Sequence, residues 1–236
     1  MALIFLLTRR IAATRASVAF VLMFAFALLP LASTTGCTST YYTAMRKLGK
    51  EKRDILVSRV KDAKKDQQET KEQIQTTMES FQALTGFQGG SLEKSYKRLN
   101  SEYEKAADQA NKLHNRIQSI DQVSGDLFKE WQGEINSMHN AKLKAQSTTM
   151  LRNARVRQAA YMRSMRQTED RLTPVLGAFH DQVLFLKHNL NARAIGSLKG
   201  TSVSIGNDVT DLVQSIDGSM QEADKLIASL STDDNS

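Results

Sequence analysis

From Tyr41 onward the apolar residues recur at alternating steps of three and four, the spacing that lines one face of an α-helix. The first series, Leu56, Val60, Ala63, Gln67, Thr70, Ile74, Thr77, Phe81 and Leu84, predicts a helix over about 41–85. Its middle is polar, so that stretch is expected to pack weakly or face water. The glycine-rich run Thr85–Gly90 ends the helix, with Gly86 suited to the left-handed position after its C-terminus. Ser91 is a good N-cap for a second segment over 91–138. There Leu92, Tyr96, Leu99, Tyr103, Ala106, Ala110, Leu113, Ile117 and Ile120 alternate without a break. The pattern continues, with one imperfect step, through Leu127 and Trp131 to Met138. A repeat of this length argues for coiled-coil packing, and the short connection implies an antiparallel hairpin. At 1.5 Å per residue each arm is roughly 70 Å long.

A third helix is expected over 140–172, with Thr173-Pro174 marking a kink or a fresh start. Beyond it Val175, Phe179, Val183, Leu186, Leu190, Ala194 and Leu198 line one face, and Ile205, Val209, Leu212, Ile216, Met220, Ala223, Ile227 and Leu230 continue it. This predicts helix over 174–230. Gly196, Gly200 and Gly206 weaken the junction by about 1 kcal/mol each relative to Ala, so a break at 200–204 competes with one continuous helix. Residues 231–236 are polar and expected to be disordered. The fold class is therefore all-α: an elongated helical bundle with an antiparallel coiled-coil hairpin of long helices, in one domain over 41–230. Composition agrees. Two prolines and 12 glycines in 236 residues cannot supply the frequent turns of a sandwich or barrel. One cysteine excludes a disulfide framework and a Cys-rich zinc site.

The N-terminal pattern is different. Ala16 to Ala32 is almost continuously apolar and is preceded by Arg9, Arg10 and Arg15. A basic lead and a short apolar run read as a secretory signal, and the uninterrupted core Val18 to Leu29 is short of the ~20 residues of a comfortable membrane span. An uncleaved anchor is the alternative. Arg9-Arg10 alone is a weak twin-arginine signal. The single cysteine follows directly, and Thr34-Thr35-Gly36-Cys37 resembles the lipobox of bacterial lipoproteins. Thr34 stands where such boxes usually carry Leu. The resemblance implies cleavage of residues 1–36, lipidation of Cys37 and an acylated linker over 37–40. Thr38, in place of an aspartate, implies sorting to the outer membrane. Several acyl chains anchor far more firmly than one, at about 0.8 kcal/mol per buried CH₂.

Tyr41-Tyr42-Thr43-Ala44-Met45, then Lys52 to Val57, and above all the block Asp181 to Ile195 resemble a proteobacterial family of predicted helical lipoproteins. That family is known only as a domain of unknown function. The resemblance covers most of 40–230 and implies a periplasm-facing, all-α lipoprotein with no assigned activity.

Little in the chain points to catalysis. It has no GxxxxGK[ST] or GxGxxG phosphate loop and no HExxH pairing among His114, His139, His180 and His188. No enzyme, cofactor, metal site or small-molecule substrate is expected. The block around His188, Asn189, Asn191 and Arg193 sets polar groups among apolar neighbours. These four are expected to form either a semi-buried register layer or a partner-docking surface.

Charge is segregated. Residues 142–171 carry Lys142, Lys144, Arg152, Arg155, Arg157, Arg163, Arg166 and Arg171 against two acids, a net +6, while 201–236 carry a net −6. Either these segments neutralise each other, or the basic helix, through Lys142 to Arg166, contacts anionic envelope polymers or lipids. Loss of Arg9, Arg10 and Arg15 with the signal lowers the formal +7 to +4, and export disfavours nucleic acid as a partner. The expected role is a lipid-anchored envelope protein, structural or adaptor in kind, acting through self-association or an envelope protein partner.

Overall fold

The computed structural model describes residues 51–231. Cys37, the apolar run, the linker 37–40, the segment 41–50 and the tail 232–236 lie outside the described residues. Gly49–Ser236 forms one compact unit. It contains α1 (Lys52–Thr85), α2 (Leu92–Ser137), α3 (Ala141–His188), α4 (Ala192–Ser197) and α5 (Lys199–Ser231), and no strand occurs among the described residues.

The four long helices pack in the cyclic order α1–α2–α3–α5. Polar pairs fix the direction of each neighbour. Gln73 of α1 donates to the Glu102 carboxylate at 2.8 Å, and Lys52 meets Glu130 at 3.0 Å. Between α2 and α3, Trp131 Nε1 donates to Ser147 at 2.8 Å and His114 pairs with Glu169 at 2.6 Å. Ser164 donates to Ser219 at 3.2 Å and Thr168 Oγ1 lies 3.1 Å from Ser215 Oγ across α3 and α5. Lys64–Asp224 (2.6 Å) and Lys71–Asp217 (2.7 Å) join α1 to α5. Every neighbouring pair is antiparallel, giving an up-down-up-down four-helix bundle. The expected all-α bundle and α1–α2 hairpin are present, and α3 and α5 close the hairpin's apolar side.

Local signals set the ends. Glu51 and Asp54 form a reciprocal capping box at α1, and Ser91 accepts from the Lys94 N–H at 3.3 Å. Asn140 accepts from Lys142 and Leu143, starting α3. Gly86 is not left-handed, with φ −93°; the positive φ of the loop falls instead at Gly90, at 103°.

The core follows the sequence pattern, since all nine seam positions of α1 from Leu56 to Leu84 are buried. Phe81 and Phe179 meet edge-to-face at 6.2 Å across the bundle diagonal. The polar middle of α1 does not face water. Gln67 and Thr70 are fully buried, because α5 and α3 bring Ser219 and Ser164 to the same level. Gln67 donates to Ser219 Oγ at 2.7 Å, and Thr70 returns its hydroxyl proton to the Asp66 carbonyl.

Two boundaries differ from expectation. The third helix does not stop at 172 but runs through Pro174 to His188. Pro174 is exposed, so the carbonyl it leaves unpaired lies on the solvent side, while Leu172, Val175 and Phe179 are held in the core. The region 174–230 is not one helix, nor does it break at 200–204. It breaks at Asn189–Asn191, where Asn189 donates its side-chain amide to the Phe185 carbonyl and Asn191 caps α4 through the Ala194 N–H. Gly200 and Gly206 lie inside α5, where buried Ile205, Val209 and Leu212 outweigh their weak helix preference.

Candidate functional site

The basic residues of α3 lie mainly opposite its buried face. Lys142, Arg152, Arg155, Arg157, Arg163 and Arg166 are exposed and Lys144 is half-buried. Three are engaged with α2. Arg155 stacks over Phe128 with its guanidinium carbon 5.8 Å from the ring centre, and Arg166 meets Asp121 at 3.3 Å. Lys144 donates to the Asn136 carbonyl at 3.4 Å. Lys142, Arg152, Arg157 and Arg163 meet no acidic side chain among the described residues.

The acidic α5 is the bundle neighbour of α3, yet three of its carboxylates pair elsewhere. Asp217 and Asp224 pair with Lys71 and Lys64 of α1, and Glu222 takes Lys225 of its own helix. Among the described residues no ion pair joins the two segments, although Arg171 and Asp211 line one cleft between them. The basic face of α3 stays open to solvent.

Length adds a second feature. α2 has 46 residues and α3 has 48, against 34 for α1 and 33 for α5. Lys52 stands opposite Glu130, and the α3–α5 register brings Ser231 level with Arg152. Residues 131–151 thus project past the other two helices as a two-helix tip, by roughly 10–15 Å. On it Leu143 is 55% exposed and Met150 40%. At its foot a cleft of about 340 Å³ is lined by Lys52, Arg53, Trp131, Ser147 and Met150 together with the acidic residues Glu51, Glu130 and Glu134. The sequence series stopped at Met138 and did not single out this tip; unequal helix lengths become legible only once the partners' ends are known.

A second cleft, about 450 Å³, lies between α3 and α5 and is lined by Ser164, Arg171, Asp211, Ser215 and Ser219. It borders the buried Gln67–Ser219–Ser164 layer. The sequence carried a signal for that layer in Gln67, but not for its partners.

His188, Asn189, Asn191 and Arg193 are all exposed, at the end of the bundle away from the tip. The expected semi-buried register layer is not formed by them. The two asparagines serve the α3–α4 junction, as its terminal caps. Of the other histidines, His180 lies against Tyr103 with ring centres 5.6 Å apart. Among the described residues no helix is long and apolar enough to cross a membrane.

Compared with known families, residues 41–230 match the model described as "Protein of unknown function (DUF2959)". The chain belongs to the DUF2959 family. The DUF2959 stretch takes in all five helices and the Asp181–Ile195 block, and begins just past Cys37. No curated protein and no solved structure matches the chain.

Proposed function

We propose that the protein is a lipid-anchored bacterial envelope component, facing the periplasm from the outer membrane, with a structural or adaptor role. The observation that carries this reading is the place of the chain's one cysteine. Cys37 directly follows a short apolar run with a basic lead, and 14 residues, 38–51, join it to α1. Fully extended, that stretch could span at most about 50 Å, so an acyl anchor keeps the Lys52 end of the bundle within that distance of the bilayer. Intact-mass and peptide mass spectrometry of protein from bacterial membranes tests it, with Cys37→Ala as control. Acylated Cys37 at the mature N-terminus is expected; an unmodified full-length N-terminus in the membrane fraction overturns it.

A second reading is favoured by the open basic face of α3. The bundle binds anionic envelope polymers or lipids through Lys142, Arg152, Arg157 and Arg163, with Lys144, Arg155 and Arg166 at the edge. Binding by the unlipidated bundle that weakens steeply with salt supports this reading. Equal binding at low and high salt, or none at low salt, removes it.

A further inference from the structure

We propose that the α2–α3 tip is a lipid-docking element, which stands the bundle end-on against a bilayer rich in anionic headgroups. Leu143 and Met150 enter the acyl boundary, and Lys142, Lys144 and Arg152 lie among the headgroups. This deepens the second reading above and rests on it, but moves the contact from the length of α3 to its first three turns.

Three observations meet at the tip. The first is exposure: Leu143 and Met150 are seven residues apart on α3, hence on one side of it, and both are exposed, Leu143 beyond the ends of α1 and α5 and Met150 beside the first residues of α1. The second is charge. Residues 138–157 hold Lys142, Lys144, Arg152, Arg155 and Arg157 and no acidic residue. Leu143 stands among these cations, while the cleft beside Met150 also holds Glu51, Glu130 and Glu134, so it is the α3 side of the tip that matches a surface anionic outside and apolar beneath, where each Lys or Arg near the headgroups contributes about 1 kcal/mol. The third is where the chain leaves the bundle. Glu51 and Lys52 line the cleft at the foot of the tip, so the described chain begins at this same end. A tip-to-tip contact with a second copy of the chain would set Lys142, Lys144 and Arg152 against the same cations, which the charge pattern disfavours.

The chain's one tryptophan supplies the readout, because Trp131 lies half-buried in the cleft beside Met150. Residues 49–236 carry their own core as one compact unit, which is the condition for folding alone. This fragment, lacking Cys37, is mixed with vesicles of equal parts phosphatidylglycerol and phosphatidylethanolamine, or of phosphatidylcholine alone. The expected result is binding to the anionic vesicles only, with Trp131 emission shifted to the blue and quenched by lipids brominated near the headgroup end of the chains. The double variant Leu143→Ser, Met150→Ser should bind about tenfold more weakly with unchanged circular dichroism and melting. Arg163→Glu, far from the tip, should cost less than about threefold. Four results overturn the proposal. One is undiminished binding by the double variant. Another is a loss for Arg163→Glu as large as for the tip, which leaves the whole-face reading standing. The third is binding to lipopolysaccharide or a soluble polyanion without any binding to the vesicles. A self-association lost in the double variant, with no vesicle binding, assigns the tip to a second copy instead and also overturns it. None of these outcomes bears on acylation of Cys37, which the fragment lacks.

Discussion

Tyr161 is the largest side chain fully buried in the bundle, and its hydroxyl finds no hydrogen-bond partner among the described residues. Burial pushes its phenol pKa well up, so the group stays neutral and keeps an unspent donor. A buried hydroxyl without a partner costs its desolvation, about 1–3 kcal/mol. Tyr161→Phe keeps the ring and removes the cost, so urea denaturation should show a gain of about 1 kcal/mol; a loss of similar size would mean that an ordered water satisfies the hydroxyl. The sequence pattern identified the α1 seam one residue at a time, from Leu56 to Leu84, because alternation by three and four is a property of a single helix. It could not assign an environment to Gln67. Whether a polar seam residue is buried depends on what faces it, and Ser219 and Ser164 are 152 and 55 residues from their partners Gln67 and Ser219 in the chain. The exposed cations of α3 were legible as a charge run; which of them α2 engages was not.

At the scale of elements the informative case is α3. A proline in mid-helix removes one N–H donor and crowds the carbonyl four residues back, at a cost near 3 kcal/mol. Here the helix continues because Leu172, Val175, Phe179, Val183 and Leu186 are all buried, five side chains in four turns. Each contributes about 1.5–3 kcal/mol of burial, and the sum exceeds the local penalty. Pro174→Ala should therefore stabilise the protein by about 2 kcal/mol, after the added freedom of the unfolded chain is discounted. Thermal melts of the two proteins check this. No change would mean that the backbone around Pro174 is held apart by packing. The same balance explains why the real break falls at Asn189–Asn191. Two asparagines there satisfy the freed backbone groups, whereas Gly200 and Gly206 only lower helix propensity. Local punctuation is readable in a sequence, but its rank against tertiary burial is not.

The bundle as a whole has a well-packed middle and a slender end. Between Val60 and Leu84 the bundle has four helices around Phe81 and Phe179, while from 131 to 151 only α2 and α3 remain. Opening free energies follow buried contact, so amides of the tip should exchange with deuterium at least about tenfold faster than those of residues 60–84. Mass spectrometry on peptic fragments reads this directly, and equal protection would require another layer over the tip. The antiparallel order has a further consequence, one of reach. Both termini of the bundle, Lys52 and Ser231, fall at the tip end, and both turns at the other end, Gly86–Ser91 and Asn189–Leu198, stand about 50 Å away along α1. The bundle is thus a one-handled spacer. Held at the Lys52 end by any means, it carries the four exposed residues His188, Asn189, Asn191 and Arg193 to a fixed height above its support. That height is set by the number of turns in α1, and each inserted heptad would lift the far end by about 10 Å.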